Sequence, residues 1–383
     1  MRPTVLKLTA VIFFSSFLLS AVKAQQNETQ VVTTAVPFLR ISPDARAGGM
    51  GDLGVATSPD ASSGFWNIGK VAFNESPGGI AATYTPWLKN LVNDVYLASL
   101  SGYYKFDDVQ AINVGLRYFS LGSIQFTDGN GNLTGNGKPR EFGIDFGYSR
   151  KLSDKLGLGV TLRYINSDLA SGAGNTSGNT YKVGTSVAGD IGLYYDSKSE
   201  AGDGFTFGAT LSNLGAKIAY TDNADQKDFI PANLGLGVTW NKAIDEQNKL
   251  MFGIDFNKLL VPAFKGNSSD PNAIAAYRSK GLASSWGSSF SDFPGQASVS
   301  VGAEYWYNNQ FAFRAGYFWE DKTRGNRRYF TAGLGLKYNV FGLNFSYLAP
   351  SGSGVTQNPL SNTLRFSVLF DLGGSTGTTS SDE

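Results

Sequence analysis

The chain of 383 residues contains no cysteine and no histidine. Without histidine there is no Ser-His-Asp triad, no Cys-His pair and no His-ligated zinc, which removes enzymes that rely on an imidazole base. Without cysteine no disulfide can staple the fold, even in an oxidising compartment, so stability has to come from backbone pairing and packing. Charge is scarce and balanced: 16% of residues are charged, 32 basic against 31 acidic, for a net +1. That balance gives no electrostatic pull on nucleic acid or a polyanionic substrate. Past residue 24 no apolar run approaches the roughly 20 residues that a helix needs to cross a bilayer. Any passage through a membrane must therefore use strands.

One apolar run does exist, from Leu8 to Leu19, preceded by Arg2 and Lys7 and followed by Val22-Lys23-Ala24. A basic start, a short apolar stretch and small residues before a cut site make residues 1–24 a signal peptide, with the mature chain beginning at Gln25. Gln rather than Cys at position 25 closes the lipoprotein route. What is abundant is glycine, with 47 residues, and aromatic side chains, at 13%. This mixture suits strands that meet lipid on one side and a crowded lumen on the other.

Two-residue periodicity begins near Gly79 and recurs to Leu372. Phe142, Ile144, Phe146 and Tyr148 alternate with Gly143, Asp145, Gly147 and Ser149. Leu158, Val160 and Leu162 alternate with Gly157, Gly159 and Thr161, and Phe252 and Ile254 flank Gly253. One face is bulky and apolar, the other small or charged. Segments of this kind start near residues 80, 95, 110, 140, 156, 185, 205, 232, 248, 296, 310, 328, 341 and 363. Most run about ten residues, the length of a tilted membrane strand. Connections after the even-numbered segments are short and the others mostly longer, as in barrels with periplasmic turns and external loops. The pattern predicts an all-β fold: a 14-stranded antiparallel transmembrane β-barrel in the bacterial outer membrane, with both chain ends periplasmic. Aromatic residues bunched at segment ends, among them Trp87, Tyr103, Tyr104, Tyr194, Tyr195 and Trp240, are expected at the two membrane interfaces.

A barrel of that size is too wide for its own side chains to fill, since roughly eight strands is the filled limit. The segment 25–78 lacks strand alternation and precedes the first strand, so it is expected to plug the lumen, with 79–372 the barrel and 373–383 a flexible periplasmic tail. Inward charges are balanced, with Arg117, Arg163, Arg314, Lys337 and Arg365 against Asp145, Asp190, Asp255, Glu304 and Asp371. Internal ion pairing is expected rather than an ion-selective pore. Serine in place of the lumen-facing Gly159 should be mild.

Gly49-Met50-Gly51-Asp52-Leu53-Gly54 fits the dinucleotide pattern G-x-G-x-x-G but has no preceding strand or following helix, so it reads as a tight turn within the plug. Asp128 to Asn132 resembles half a calcium loop, yet Leu133 stands where the loop needs glycine, which makes a loop tip the better reading. No carboxylate pair has a spacing that argues for acid–base catalysis. No cofactor, metal or catalytic residue is expected. The connection from Leu259 to Gly295 carries Leu259, Leu260, Val261, Phe264, Trp286, Phe290 and Phe293, with a helix plausible over 273–279. Exposed apolar loops mark partner surfaces; a lid folded onto the barrel is the alternative. With Phe229 these residues are the candidate partner-binding set.

The run from Pro37 to Gly51, with Arg40, Asp44, Arg46, Gly48 and Gly49, followed by Gly54-Val55-Ala56 and Asp60-Ala61, closely resembles the PorV (LptO) family of type IX secretion proteins, within the FadL-like superfamily. Phe229 to Gly235 resembles that family too, and the similarity extends from Pro37 to Leu372. One departure is Asn67-Ile68-Gly69-Lys70, where FadL-like plugs commonly read Asn-Pro-Ala-Gly. The resemblance implies a non-enzymatic outer-membrane role. Its partners would be a very large translocon barrel of the SprA or Sov type, secreted cargo recognised by C-terminal signal domains, a PorU-type sortase, and outer-membrane lipid and lipopolysaccharide. A FadL-like channel for hydrophobic small molecules is the alternative function. Lipopolysaccharide O-deacylation is a third, which without histidine would need a lysine or carboxylate base.

Overall fold

A computed structural model describes residues 32–87, 94–127, 129–169, 181–222, 227–264, 270–292, 295–351 and 363–373. The signal peptide, the first residues of the expected plug, Phe293 and the tail beyond 373 lie outside them. The sheet comprises β1 Gly78–Pro86, β2 Val95–Lys105, β3 Gln110–Leu121, β4 Arg140–Lys151, β5 Leu156–Asp168, β6 Gly184–Asp196 and β7 Gly204–Gly215. It continues through β8 Asn233–Ala243, β9 Asn248–Leu259, β10 Ala297–Tyr307, β11 Phe311–Glu320, β12 Arg328–Tyr338, β13 Phe341–Pro350 and β14 Leu364–Leu372. Neighbours in sequence pair antiparallel throughout, and β1 closes on β14 from Gly78↔Leu372 to Tyr84↔Phe366. The barrel thus leaves no open edge, the condition for strands in lipid.

Every strand begins within two residues of the position expected from alternation. The reason is the pleat: Val160 (50% exposed), Leu162 (61%) and Phe252 (48%) point outward, while Arg163 (2%) and Asp255 (0%) point in. Rings gather at both rims of the outer face. At the long-loop end Tyr84, Tyr96 and Tyr118 form a chain, with centroids 5.5 and 6.2 Å apart. At the short-turn end Phe205 stacks on Phe207, and Phe341 meets Phe370 at 5.3 Å. Three expected interface rings are not there. Tyr103 and Tyr194 are buried inside, because each precedes an outward neighbour, and Trp87 packs inward on Phe119 at 5.2 Å.

The segment 32–77 fills the lumen, built from two single-turn helices, Ala45–Gly48 and Ser63–Trp66, and two 3-10 helices, Pro37–Arg40 and Ile68–Phe73. Phe38, Met50, Leu53, Val71 and Ala72 are fully buried there. The plug traverses the barrel. Val32 donates its N–H to Thr323 O (2.8 Å) at the long-loop end, and Pro77 O accepts from Lys105 N (2.8 Å) at the short-turn end. An even strand count puts Gly78 and Leu372 at the same end, but the plug that leads into Gly78 is already at the other end by Val32.

Candidate functional site: a seated plug beneath a loop cap

The glycine-rich run of the plug is a set of close approaches. Pro37 opens the first 3-10 helix, and Asp44 caps Ala45–Gly48 by accepting from Ala47 N at 2.7 Å while also accepting from Trp66 Nε1 at 2.6 Å. A Cβ on Gly48 would lie 2.3 Å from Arg365 Nη1, on Gly49 3.0 Å from Gly333 Cα, and on Gly54 2.1 Å from the Trp66 ring. Gly51 combines φ +72° with a Cβ position 2.7 Å from Tyr317 O, so only glycine fits. The barrel wall answers with its own glycines: a Cβ on Gly316 would sit 2.1 Å from Met50 C, and one on Gly208 2.4 Å from Val55 O. These residues do not enlarge an open lumen; they form the track on which the plug backbone lies. Gly159 belongs to that track, 2.8 Å from Ile68 C and O, so the expectation of a mild serine substitution is withdrawn.

Charged groups lock the plug sideways. Arg46 grips Glu304 of β10 with Nε and Nη2 at 2.9 and 2.8 Å and also reaches Asp60 at 2.9 Å, while Arg314 of β11 takes the same Glu304 at 2.6 Å. Asp52 pairs with Arg365 of β14 at 2.8 Å. Asp255 of β9 accepts from Gly54 N and Val55 N at 2.7 and 2.8 Å. On the opposite wall a ladder of alternating sign crosses four strands: Arg117–Asp145 at 3.3 Å, Arg163–Asp145 at 2.5 Å and Arg163–Asp190 at 2.8 Å. Arg117 donates onward to Leu39 O of the plug at 3.1 Å. A bulge in β6 next to Asp190 lets that carboxylate also accept from Asn213 N at 2.6 Å. Thus Arg117, Arg163, Arg314, Arg365, Asp145, Asp190, Asp255 and Glu304 face inward as expected. Lys337 and Asp371 instead pair with each other at the short-turn rim, 3.0 Å apart with the lysine half exposed.

Asn67 and Lys70, at the sequence departure, clamp the lower plug. The Asn67 amide donates to Val55 O (3.0 Å) and Leu193 O (2.8 Å) and accepts from Gly69 N. The buried Lys70 ammonium donates to Gly54 O at 2.7 Å and to Thr57. Side-chain hydrogen bonds therefore fix the turn that proline would otherwise stiffen.

Above the plug, the described parts of the connections 216–232 and 260–296 interlock. The helix Pro271–Ser279 puts Tyr277 against Phe229 (5.4 Å) and Phe264 (5.5 Å), with its hydroxyl donating to Pro262 O at 3.0 Å. Burial, then the charge of Asp228, pushes that phenol up to about 12, which keeps it a donor. Lys217 donates to Arg278 O and Lys280 O at the C-terminal end of the helix (2.6 and 2.5 Å), where a cation is favoured. Phe229, Leu259 and Leu260 are buried in and around this cluster rather than standing on the exposed surface. Apolar residues of a long loop bury one another when the loop is long enough to fold back. Phe264 and Trp286 are half-buried, and Phe290 is 46% exposed.

A closed 14-strand barrel with a helical segment seated in its lumen defines the class as an outer-membrane-type barrel. It shares that fold with the Ralstonia pickettii toluene transporter TbuX at TM-score 0.53 and 12% identity, over 87% of this chain and 100% of the other. A deletion mutant of the monoaromatic hydrocarbon channel TodX gives TM-score 0.51 and 13% identity, over 85% and 96%. No curated protein matches the sequence. The family model for the type IX secretion system protein PorV matches residues 23–266, more than half of the chain. The chain belongs to the PorV family.

Proposed function

We propose that this barrel is the outer-membrane component of a type IX system that binds the large translocon. In this reading it receives cargo by its C-terminal signal domain and hands it to the surface sortase. The observation that carries the reading is the seated plug in a chain of this family. A lumen crossed by buried ion pairs gives a solute no ready route, so what the chain offers its surroundings is its loops. The long loops would face the cell exterior and the short turns the periplasm. Phe290, Trp286 and Phe264 would contact the partner, joined by Phe293 of the same loop, with Phe229, Leu259 and Leu260 supporting them from beneath. Desolvated aromatics contribute about 2 kcal/mol each at such interfaces, or about 30-fold in affinity per ring. No catalytic role is proposed.

The fold shared with TbuX favours a second reading, a channel for hydrophobic small molecules, which would require the plug to shift. Replacing Trp286 and Phe290 together by serine separates the two. Under the secretion reading the barrel assembles, co-purification with the translocon falls at least tenfold, and uptake of a hydrophobic probe is unchanged. Lost uptake with intact secretion would overturn it in favour of the channel.

A further inference from the structure

At the long-loop end, between the plug and strands β9 to β14, lies a cavity of about 30 Å3. That is about twice the space one water needs. Its lining is basic: Arg40, Arg324, Arg327 and Arg365 stand against Asp52. Two carboxylates spend themselves on part of this set. Glu320 takes Nε and Nη2 of Arg327 at 2.7 Å each and Arg324 at 3.4 Å, and Asp52 takes Arg365 Nη1 at 2.8 Å. Among the described residues Arg40 has no such partner; its one side-chain hydrogen bond there is Nη2 to the neutral amide oxygen of Asn257 at 3.3 Å. Arg365 is 2% exposed, and among the described residues its buried Nε and Nη2 meet no acceptor, nor does Arg40 Nε. Arginine keeps its proton in proteins, so these donors cannot be silenced by neutralisation. Four guanidinium groups therefore stand against two carboxylates, and buried charge without a counter-charge is costly unless an anion completes it.

We propose that this cavity binds a small oxyanion, a carboxylate or phosphate, held by Arg40 and drawn by the excess positive charge of the four lining arginines over Asp52 and Glu320. The guanidinium edge matches such groups with paired N–H donors. The site is independent of the secretion reading, since it rests on the lumen and not on the loop surface.

The test uses the full mature barrel in a non-ionic detergent with chloride as background anion. Calorimetry with acetate, inorganic phosphate and dihexanoyl phosphatidic acid should show saturable binding of one equivalent. Arg40→Gln, which forfeits a single hydrogen bond to a neutral partner, should weaken binding at least tenfold. Lys242→Gln, in a solvent-exposed pair at the short-turn end, should not. Should Arg40→Gln fail to assemble, Ser298→Val narrows the same cavity with all four arginines retained and should also abolish binding. Binding of the free anions identifies a soluble ligand; binding of the phosphatidic acid alone identifies a lipid-borne phosphate. No saturable binding of any of the three, or undiminished binding in both cavity variants, overturns the proposal.

Discussion

Glu304→Gln is the sharpest probe of what holds the plug. Glu304 is 2% exposed and accepts from Arg46 at 2.9 and 2.8 Å and from Arg314 at 2.6 Å. The amide keeps the shape but removes the only charge shared by plug and wall at this point, leaving two buried guanidinium groups facing each other. Breaking one side of a buried pair costs about 3 to 5 kcal/mol. Arg46 retains Asp60, whose side chain is 21% exposed, so the lower figure, about 3 kcal/mol, is expected. Because the chain has no cysteine, a single Ala72→Cys in the fully buried lower plug reports seating by its reaction with a polar maleimide. If the plug opens as a local unit, about 3 kcal/mol raises the labelling rate by about 100-fold. Asp203→Asn, which removes the half-exposed pair to Lys242 at 2.7 Å, should change it by less than about fivefold, as surface pairs contribute about 0 to 1 kcal/mol. Equal labelling in the parent and Glu304→Gln would refute the assignment of the lock to this pair.

Gly159→Ser should lower the fraction of heat-modifiable barrel in the outer membrane, because its Cβ enters plug backbone at 2.8 Å, whereas Gly143→Ser, whose Cβ meets Leu39 Cδ2 at 3.6 Å, should assemble normally. Phe252→Arg, on the outer face, should cost about 2 to 4 kcal/mol if it lies near the bilayer midplane, read as a lower urea midpoint in lipid vesicles; no shift would mean that this face does not meet lipid. A cysteine at Ser288 should label from outside intact cells and one at Asp154 should not, and labelling of Asp154 alone would invert the orientation.

The barrel was legible because its information is local. Alternation at period two, interrupted by turn residues, fixes strand, face and register together, and a shift of one residue would put Arg163 and Asp255 into lipid. The inward charges followed from the same parity. Two features were not legible. Which inward glycines touch the plug depends on contacts such as Gly316 with Met50, far apart in sequence, so Gly159 read as tolerant when it is not. The fate of the long apolar loop was equally non-local: Leu259, Leu260 and Phe229 look like an exposed patch until Tyr277 folds back over them. The cavity arginines Arg324 and Arg327 sit in a connection without periodicity, so sequence pattern marks only Arg40, as a motif residue, and Arg365, by strand parity.

The lock and the cap share a member, and that decides how each can be tested. Phe229 anchors the cap through Tyr277, and its carbonyl accepts from Ala35 N of the plug at 2.9 Å. Thr323 O similarly holds Val32 N at 2.8 Å in the connection that carries Arg324 and Arg327. Large-to-small changes at Phe229 would therefore open a hole beneath the cap and loosen the top of the plug together, and a lost secretion phenotype could come from either. Among the described residues Trp286 and Phe290 make no hydrogen bond of this kind to the plug: the Trp286 carbonyl accepts from Ser289 within its own helical stretch, and Phe290 is 46% exposed. A defect confined to those two rings, with Ala72→Cys still protected, isolates the outer surface from the lumen. Protection lost in that variant would mean that the cap itself holds the plug down.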